Sequence, residues 1–211
     1  MPSASCEPFP TLLLDLTQSK ELLFAAIKKD TRYEIRRAEK NDGCVAEHIT
    51  QPRALLSIFE SFYRAFAQQK GVVVPDFESL DRMCCAGKLV LTRIVRGEEA
   101  LVWHAYCCIK GRGRLLYSAS LFRGLDSGQR NLIGRVNRYL HWHDILAFKD
   151  ASFHTYDLGG WSPPESGDAE KQKINQFKEE FGGNVTIEFN CIYAGSLAGG
   201  VALTAKRLLG R

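Results

Sequence analysis

The sequence predicts an α+β fold: one mixed, mostly antiparallel sheet flanked by helices. Three observations carry that expectation. Residues 89–95, 100–109 and 115–122 are rich in β-branched and aromatic side chains. Gly97-Glu98-Glu99 and Gly111-Arg112-Gly113 separate them, so they read as a three-stranded antiparallel meander. Helix-spaced apolar runs lie on both sides of the meander. After it the order helix, strand, helix, strand fits a layered architecture around one sheet.

Residues 11–16 (TLLLDL) read as a short buried strand after a Pro-rich start. A helix follows from about residue 18, with Leu22, Leu23, Ala26 and Ile27 on one face. Thr31 and Glu34 form a capping box that would start a second helix, which Asn41-Asp42-Gly43 ends. Pro52 suits a helix start, and Leu55, Phe59, Phe62 and Phe66 follow at helical spacing until Gly71. A short helix over 77–86 precedes the meander. Beyond it come a long helix over 130–149, a strand over 153–158 and the loop Gly159-Gly160-Trp161-Ser162-Pro163-Pro164. A helix over 168–181 is then closed by Gly182-Gly183 in a left-handed cap. Val185, Ile187, Phe189, Cys191 and Tyr193 alternate along a final strand, with a small helix expected after it.

With 211 residues, 45% hydrophobic and 25% charged, the chain has room for one domain, taken as 1–211. No apolar run approaches the ~20 residues that span a bilayer, so no membrane span is expected. The first residues lack a basic region followed by an apolar one, and the expected location is cytoplasmic. A net charge of +4 is too mild to predict nucleic-acid binding. The seven cysteines are odd in number, include the adjacent pairs Cys84-Cys85 and Cys107-Cys108, and show no CxxC spacing. They read as buried reduced thiols. Phosphate-loop, zinc and Ser-His-Asp signatures are absent as sequence patterns, and no metal site is expected. His141-Trp142-His143 looks like a metal motif, but helical residues two apart point roughly 200° apart, so packing or surface roles are expected.

Two regions could carry chemistry. Lys29, Arg32, Arg36 and Lys40 recur every three or four residues and line one helical face. That stripe is either a solvated face or a contact surface for an anionic ligand, for which Arg suits bidentate phosphate binding. Tyr156-Asp157-Leu158-Gly159-Gly160 brings a carboxylate and a backbone turn to a strand end, where ligands tend to sit. On the helix that follows, Ile174, Phe177 and Phe181 share a face, with Lys178 on its flank. The lysine either snorkels past core aromatics or faces a site and stabilises a developing oxyanion.

Three stretches, in order and spacing, resemble one family. Residues 31–40 (TRYEIRRAEK) are similar to the R-Y-x-I-R-K-A-x-K helix motif of the FemABX peptidoglycan-bridge aminoacyltransferases. Residues 116–120 (LYSAS) resemble the strand before that family's donor cleft. Residues 156–160, followed by Phe177-Lys178 and Phe181-Gly182-Gly183, resemble its Y-D-x-G-G … F-K-x-x-F-G ending. The match runs over residues 11–193 and resembles the second of the two GNAT-like domains that the best-known members carry; the first domain and the helical arm that grips tRNA are not evident.

The resemblance implies a GNAT-like acyltransferase fold. It implies transfer of an acyl or aminoacyl group, from acyl-CoA or aminoacyl-tRNA, onto an amine of a cell-envelope glycan precursor. By the same resemblance Lys178 is the leading catalytic residue and Phe177 shapes the pocket. Arg32 and Arg36 contact phosphates, and Tyr117 borders the cleft. Asp157 or the substrate's own phosphate would take the proton. Half of a two-domain cleft implies that a second copy, as a homodimer, or another protein supplies the rest. The GNAT phosphate pattern Gln/Arg-x-x-Gly-x-Gly/Ala is not matched by residues 123–135. A helix N-terminus there, with Arg123 and Arg130, is still a candidate cofactor contact for acyl-CoA as co-substrate. No covalently bound cofactor is expected. The reading from another class is a non-catalytic GNAT-like module that binds an anionic glycan precursor or a partner protein.

Overall fold

The computed structural model describes residues 4–194. Its sheet is formed by β1 (Ala4–Asp15), β2 (Val45–Ile49), β3 (Leu89–Arg96), β4 (Glu99–Ile109), β5 (Arg112–Ser120), β6 (Thr155–Gly160) and β7 (Asn184–Tyr193). The strand order is β2-β3-β4-β5-β6-β1-β7, and every neighbouring pair is antiparallel except β5 with β6. The helices are α1 (Lys20–Ala26), α2 (Lys29–Asn41), α3 (Leu56–Lys70), α4 (Phe77–Cys85), α5 (Ser127–Asp150) and α6 (Ala169–Glu179). This is the α+β class that the meander and its flanking helices predict.

Both faces of the sheet centre are buried, and the period of two along β4 shows how. Trp103 and Ala105 point to the face covered by α3 and α4, where Phe59, Tyr63 and Phe66 pack on them. Tyr106 and Cys108 point to the other face, against Trp142, Ile145 and Phe148 of α5 and Ile35 of α2. Phe59 and Trp103 are fully buried with ring centroids 5.8 Å apart. Truncating either would cost about 3–5 kcal/mol.

β1 is longer than the sequence suggests and contains Pro8 and Pro10. Proline cannot donate to a ladder, so its place needs a reason. β1 pairs with β7 from Ala4 to Leu13, but with β6 only from Thr11 onward. The Pro10 carbonyl accepts from Trp161 N–H on the β6 side, so the missing N–H of Pro10 also falls there and the β7 ladder loses nothing.

Four further differences have local causes. β2 escapes a pattern search because it is short, only partly buried and interrupted by Glu47 and His48. The capping box does not form: α2 begins at Lys29 without a side-chain cap, and Thr31 Oγ1 donates instead to Glu180 at 2.9 Å. The expected all-thiol state is also corrected, since Cys6 and Cys191 sit opposite one another across β1 and β7 and form a disulfide, while Cys85 is exposed. Gly159 and Gly160, expected in a loop, belong to β6. The small helix expected after residue 193 lies outside the described residues. No helix among them is long and apolar enough to cross a membrane.

Candidate active site

The parallel pairing of β5 with β6 stops after Arg112↔Thr155, Gly113↔Tyr156 and Arg114↔Asp157. β5 continues to Ser120 hydrogen-bonded to β4 alone, so the sheet opens beside it. A cleft of about 600 Å³ fills the opening. Leu116, Ser118 and Ser120 form one wall, Leu158 to Gly160 another, and α6 with Ile174, Phe177 and Lys178 closes the third side. Lys70, Arg123 and Lys173 stand at its rim with Glu170 as the acid among them, which makes the rim cationic.

α6 is placed by its two ends. Asp168 caps its N-terminus, accepting from the N–H groups of Glu170 and Lys171. Past its C-terminus Phe181 is fully buried, and Gly182 and Gly183 take φ values of 78° and 90°. A Cβ on Gly183 would stand 2.6 Å from the Leu13 carbonyl oxygen, so only glycine lets the chain turn there. The last turn then projects Lys178 into the cleft, where its Nζ donates to the Gly160 carbonyl at 2.5 Å. Burial pushes the ammonium down to a pKa of about 8, with Asp157 acting the other way. Phe177 lies 5.5 Å from the His141 ring and 5.5 Å from Phe181, and the Arg138 guanidinium covers it. Lys178 and Phe177, expected in the site, do line one cleft.

Asp157 does not serve as expected. It is fully buried, on the face of β6 turned away from Leu158. One oxygen accepts from Thr11 Oγ1 at 2.5 Å and Gly159 N–H at 2.8 Å. The other accepts from Arg112 Nε at 3.0 Å and Nη2 at 2.6 Å, and Arg112 also binds Glu188. Four donors fill the acceptor positions of a carboxylate, which leaves no lone pair for a substrate proton. What Asp157 does is hold Gly159 at φ 76°, where a Cβ would press on the Leu115 carbonyl, and so set the Gly160 carbonyl that receives Lys178.

The remaining predicted residues scatter. Tyr117 faces the α3 side with Ala105, its ring 5.4 Å from Tyr63, and does not line the cleft; its neighbour Ser118 does. Arg32 donates to the carbonyls of Ala25 and Ile27 and so ties α1 to α2, while Arg36 stacks on Phe24. Neither lines this cleft. Arg130 donates to the Leu125 carbonyl and borders a separate polar cavity of about 430 Å³ with Arg37 and Arg135. Arg123 is at the cleft, stacked on Phe122, and its buried Nη1 has no hydrogen-bond partner among the described residues. At the start of α5 the Asp126 carboxylate already accepts from Gln129 N–H, so a carboxylate occupies the position where a phosphate was expected.

A polar network in the same cleft went unseen in the sequence. His141 and Asn137, one turn apart on α5, both line it. His141 Nδ1 lies 2.7 Å from Tyr156 Oη, which lies 2.7 Å from Tyr106 Oη, which donates to Asp144 Oδ2 at 2.7 Å. His104 Nδ1 and Thr92 Oγ1 reach the same Asp144 oxygen at 2.9 and 3.0 Å, and His104 Nε2 lies 2.9 Å from the Asn137 amide. Burial pushes His141 well below its ordinary value, as does nearby His104, so its ring is neutral. Burial alone would raise Asp144, but the hydrogen bonds from His104 and Tyr106 outweigh it and keep the carboxylate ionised. The usable signal was the i, i+3 spacing of His141 and Asp144 on an otherwise apolar face. Among the described residues no cluster of His, Cys, Asp or Glu is disposed to hold a metal ion.

No protein-family model matches the chain, and no curated protein sequence does. Solved structures match its fold. A lysylphosphatidylglycerol synthetase-like C-terminal domain from Agrobacterium fabrum superposes with a TM-score of 0.61 at 10% identity, over 98% of this chain and 66% of that one. L-PGS from Bacillus licheniformis gives 0.57 at 14% identity, over 99% and 67%. FemX gives 0.73 at 12% identity, over 96% of this chain and 64% of FemX, so the chain spans less than two thirds of that neighbour. At such identities the likeness is one of fold, and the chain has the fold of FemX over nearly all of its described length.

Proposed function

We propose that the cleft between β5 and β6 transfers an acyl or aminoacyl group onto an amine, with Lys178 stabilising the carbonyl oxygen. The observation that carries this reading is the half-buried Lys178 ammonium, held at the sheet opening by the Gly160 carbonyl. An ammonium in a water-poor site is worth more to a developing oxyanion than the same charge in water. It needs only to swing from the Gly160 carbonyl to the substrate oxygen. The acyl carbon is then attacked by the amine within a ternary complex, and the positions of Phe177, Leu158 and Ser118 set the approach.

The cationic rim of Lys70, Arg123 and Lys173 favours an anionic donor or acceptor. The Asp126 carboxylate at the start of α5 opposes a pyrophosphate there, which favours an aminoacyl ester on tRNA over acyl-CoA. Lysylphosphatidylglycerol, for whose synthetase one of the structural neighbours is named, is an aminoacylated lipid, and that supports an acceptor in the cell envelope.

The test is single-turnover transfer from a pool of charged tRNA and, separately, from acetyl-CoA, to the lysine amine of a peptidoglycan precursor. Amide formation from charged tRNA that falls about 10²–10³-fold in Lys178→Ala is the expected result. Equal rates in Lys178→Ala and wild type would remove Lys178 from the chemistry, and no transfer from either donor would remove the reading.

A further inference from the structure

We propose that His141 is the proton acceptor of this transfer, its Nε2 lone pair turned to the cleft by a one-way chain of hydrogen bonds ending on Asp144. The inference rests on the transferase reading above but on different atoms. Its basis is that the chain of oxygens and nitrogens admits one arrangement of protons.

Asp144 Oδ2 is met by Thr92, His104 and Tyr106, three groups that can all donate, at 3.0, 2.9 and 2.7 Å. An oxygen so surrounded is an ionised acceptor. The Tyr106 hydroxyl therefore spends its proton on Asp144. Tyr106 and Tyr156 are 2.7 Å apart, and one proton must lie between them; it can come only from Tyr156. With its own proton given to Tyr106, Tyr156 cannot also donate to His141. The 2.7 Å contact between Tyr156 and His141 then requires His141 Nδ1 to carry the proton. In a neutral imidazole the other nitrogen, Nε2, is left bare. It makes no hydrogen bond to any described residue, and the ring lines the cleft beside Phe177 and Lys178. Three buried hydroxyl and carboxylate groups thus fix a tautomer at the surface of a cavity.

The step balances. As the amine nitrogen bonds to the acyl carbon it gains positive charge and acidity, and its proton passes to Nε2. The acyl carbon–oxygen bond of an ester donor, or the carbon–sulfur bond of a thioester, breaks. The imidazolium returns the proton to the departing oxygen or sulfur. Tyr156, Tyr106 and Asp144 do not move protons; they stabilise the imidazolium through Nδ1–H, and they are positioning residues. Burial above all opposes a charge on His141, as do His104 on β4, Lys178 on α6 and Arg138 on α5, while Asp144 on α5 favours it. The ring therefore stays unprotonated and ready at neutral pH.

Two measurements test this on the full chain. Nitrogen-15 NMR of histidine-labelled protein without ligand reads the tautomer, with the His141 signals assigned by their loss in His141→Gln. Protonated Nδ1 with bare Nε2 is expected, and Tyr156→Phe should shift the population towards the Nε2–H form. A wild-type signal showing Nε2–H or imidazolium at pH 7 overturns the proposal. In single-turnover transfer from charged tRNA, His141→Gln should slow the chemical step about 10²–10³-fold with substrate affinity unchanged, and Tyr156→Phe should slow it less. A thermal melt confirms that both variants fold, and Gln keeps a polar atom for Tyr156. Wild-type rate in folded His141→Gln overturns His141 alone and leaves the transferase reading standing. No transfer by the wild type removes both.

Discussion

Asp157→Asn separates two roles for one carboxyl. The substitution keeps the shape and one acceptor oxygen, so Thr11 and the Gly159 N–H retain their partner. The other oxygen becomes an NH₂ facing Arg112 Nε and Nη2, which donate at 3.0 and 2.6 Å. Donor then meets donor, and a buried charge pair is broken. Breaking such a pair costs about 3–5 kcal/mol. The lower end applies, because Arg112 keeps its two bonds to Glu188 and its side chain is 28% exposed. In a chain of this size about 3 kcal/mol corresponds to a fall in Tm of roughly 6–12 °C. Thermal melts of wild type and Asp157→Asn would read it directly. Turnover measured well below the melting range should stay within a few-fold of wild type. The reasoning is refuted by the opposite pattern, an unchanged melt with transfer abolished, which would make Asp157 the proton acceptor after all.

The pH profile of transfer should fall as pH rises through about 8, because the depressed Lys178 loses the proton that stabilises the oxyanion; a rate flat to pH 10 would contradict the role given to its charge. Arg123→Ala should weaken binding of the charged tRNA and flatten the salt dependence of its dissociation constant, since its Nη1 has no hydrogen-bond partner to lose among the described residues; an unchanged salt slope would return Arg123 to a packing role. Gly183→Ala should cost about 2 kcal/mol or more in urea denaturation, combining a left-handed backbone with a Cβ 2.6 Å from the Leu13 carbonyl; a neutral result would mean that β1 can give way there.

What sequence reasoning could see followed from the range of the interactions involved. The meander, the long α5 and the final alternating strand rest on local periodicity, and each is where the pattern puts it. Helical spacing left Lys178 between a snorkelling role and a site role; the resemblance of the Phe177-Lys178 pair singled it out, and both residues do line the cleft. Asp157 was misjudged because its partners Thr11, Arg112 and Gly159 come from three segments, and only their assembly shows the carboxylate to be saturated. Tyr117 was carried over from the resemblance alone; it sits opposite Ala105 on the α3 face, and its neighbour Ser118 takes the place at the cleft. His141 was dismissed as half of a failed metal pair, which was correct as far as chelation goes. Its role depends on Tyr106 and Tyr156, which lie on two other strands.

The position of β1 bears on how the chain is made. β1 lies between β6 and β7, which follow every other described strand in the chain, and its disulfide joins residues 185 positions apart. Strands β2 to β5 can pair with near neighbours as soon as they emerge. The first strand must wait, with Leu12 and Leu14 uncovered, until nearly the whole described length has been synthesised. A chain in which β6 and β7 have yet to be made thus carries an open apolar edge at β1, the kind of surface that recruits chaperones or pairs with a second copy. Cutting the chain before β6 should therefore leave β1 to aggregate rather than to fold, whereas a circular permutant that joins β7 to β1 by a short hairpin would make its longest-range pairing its most local one.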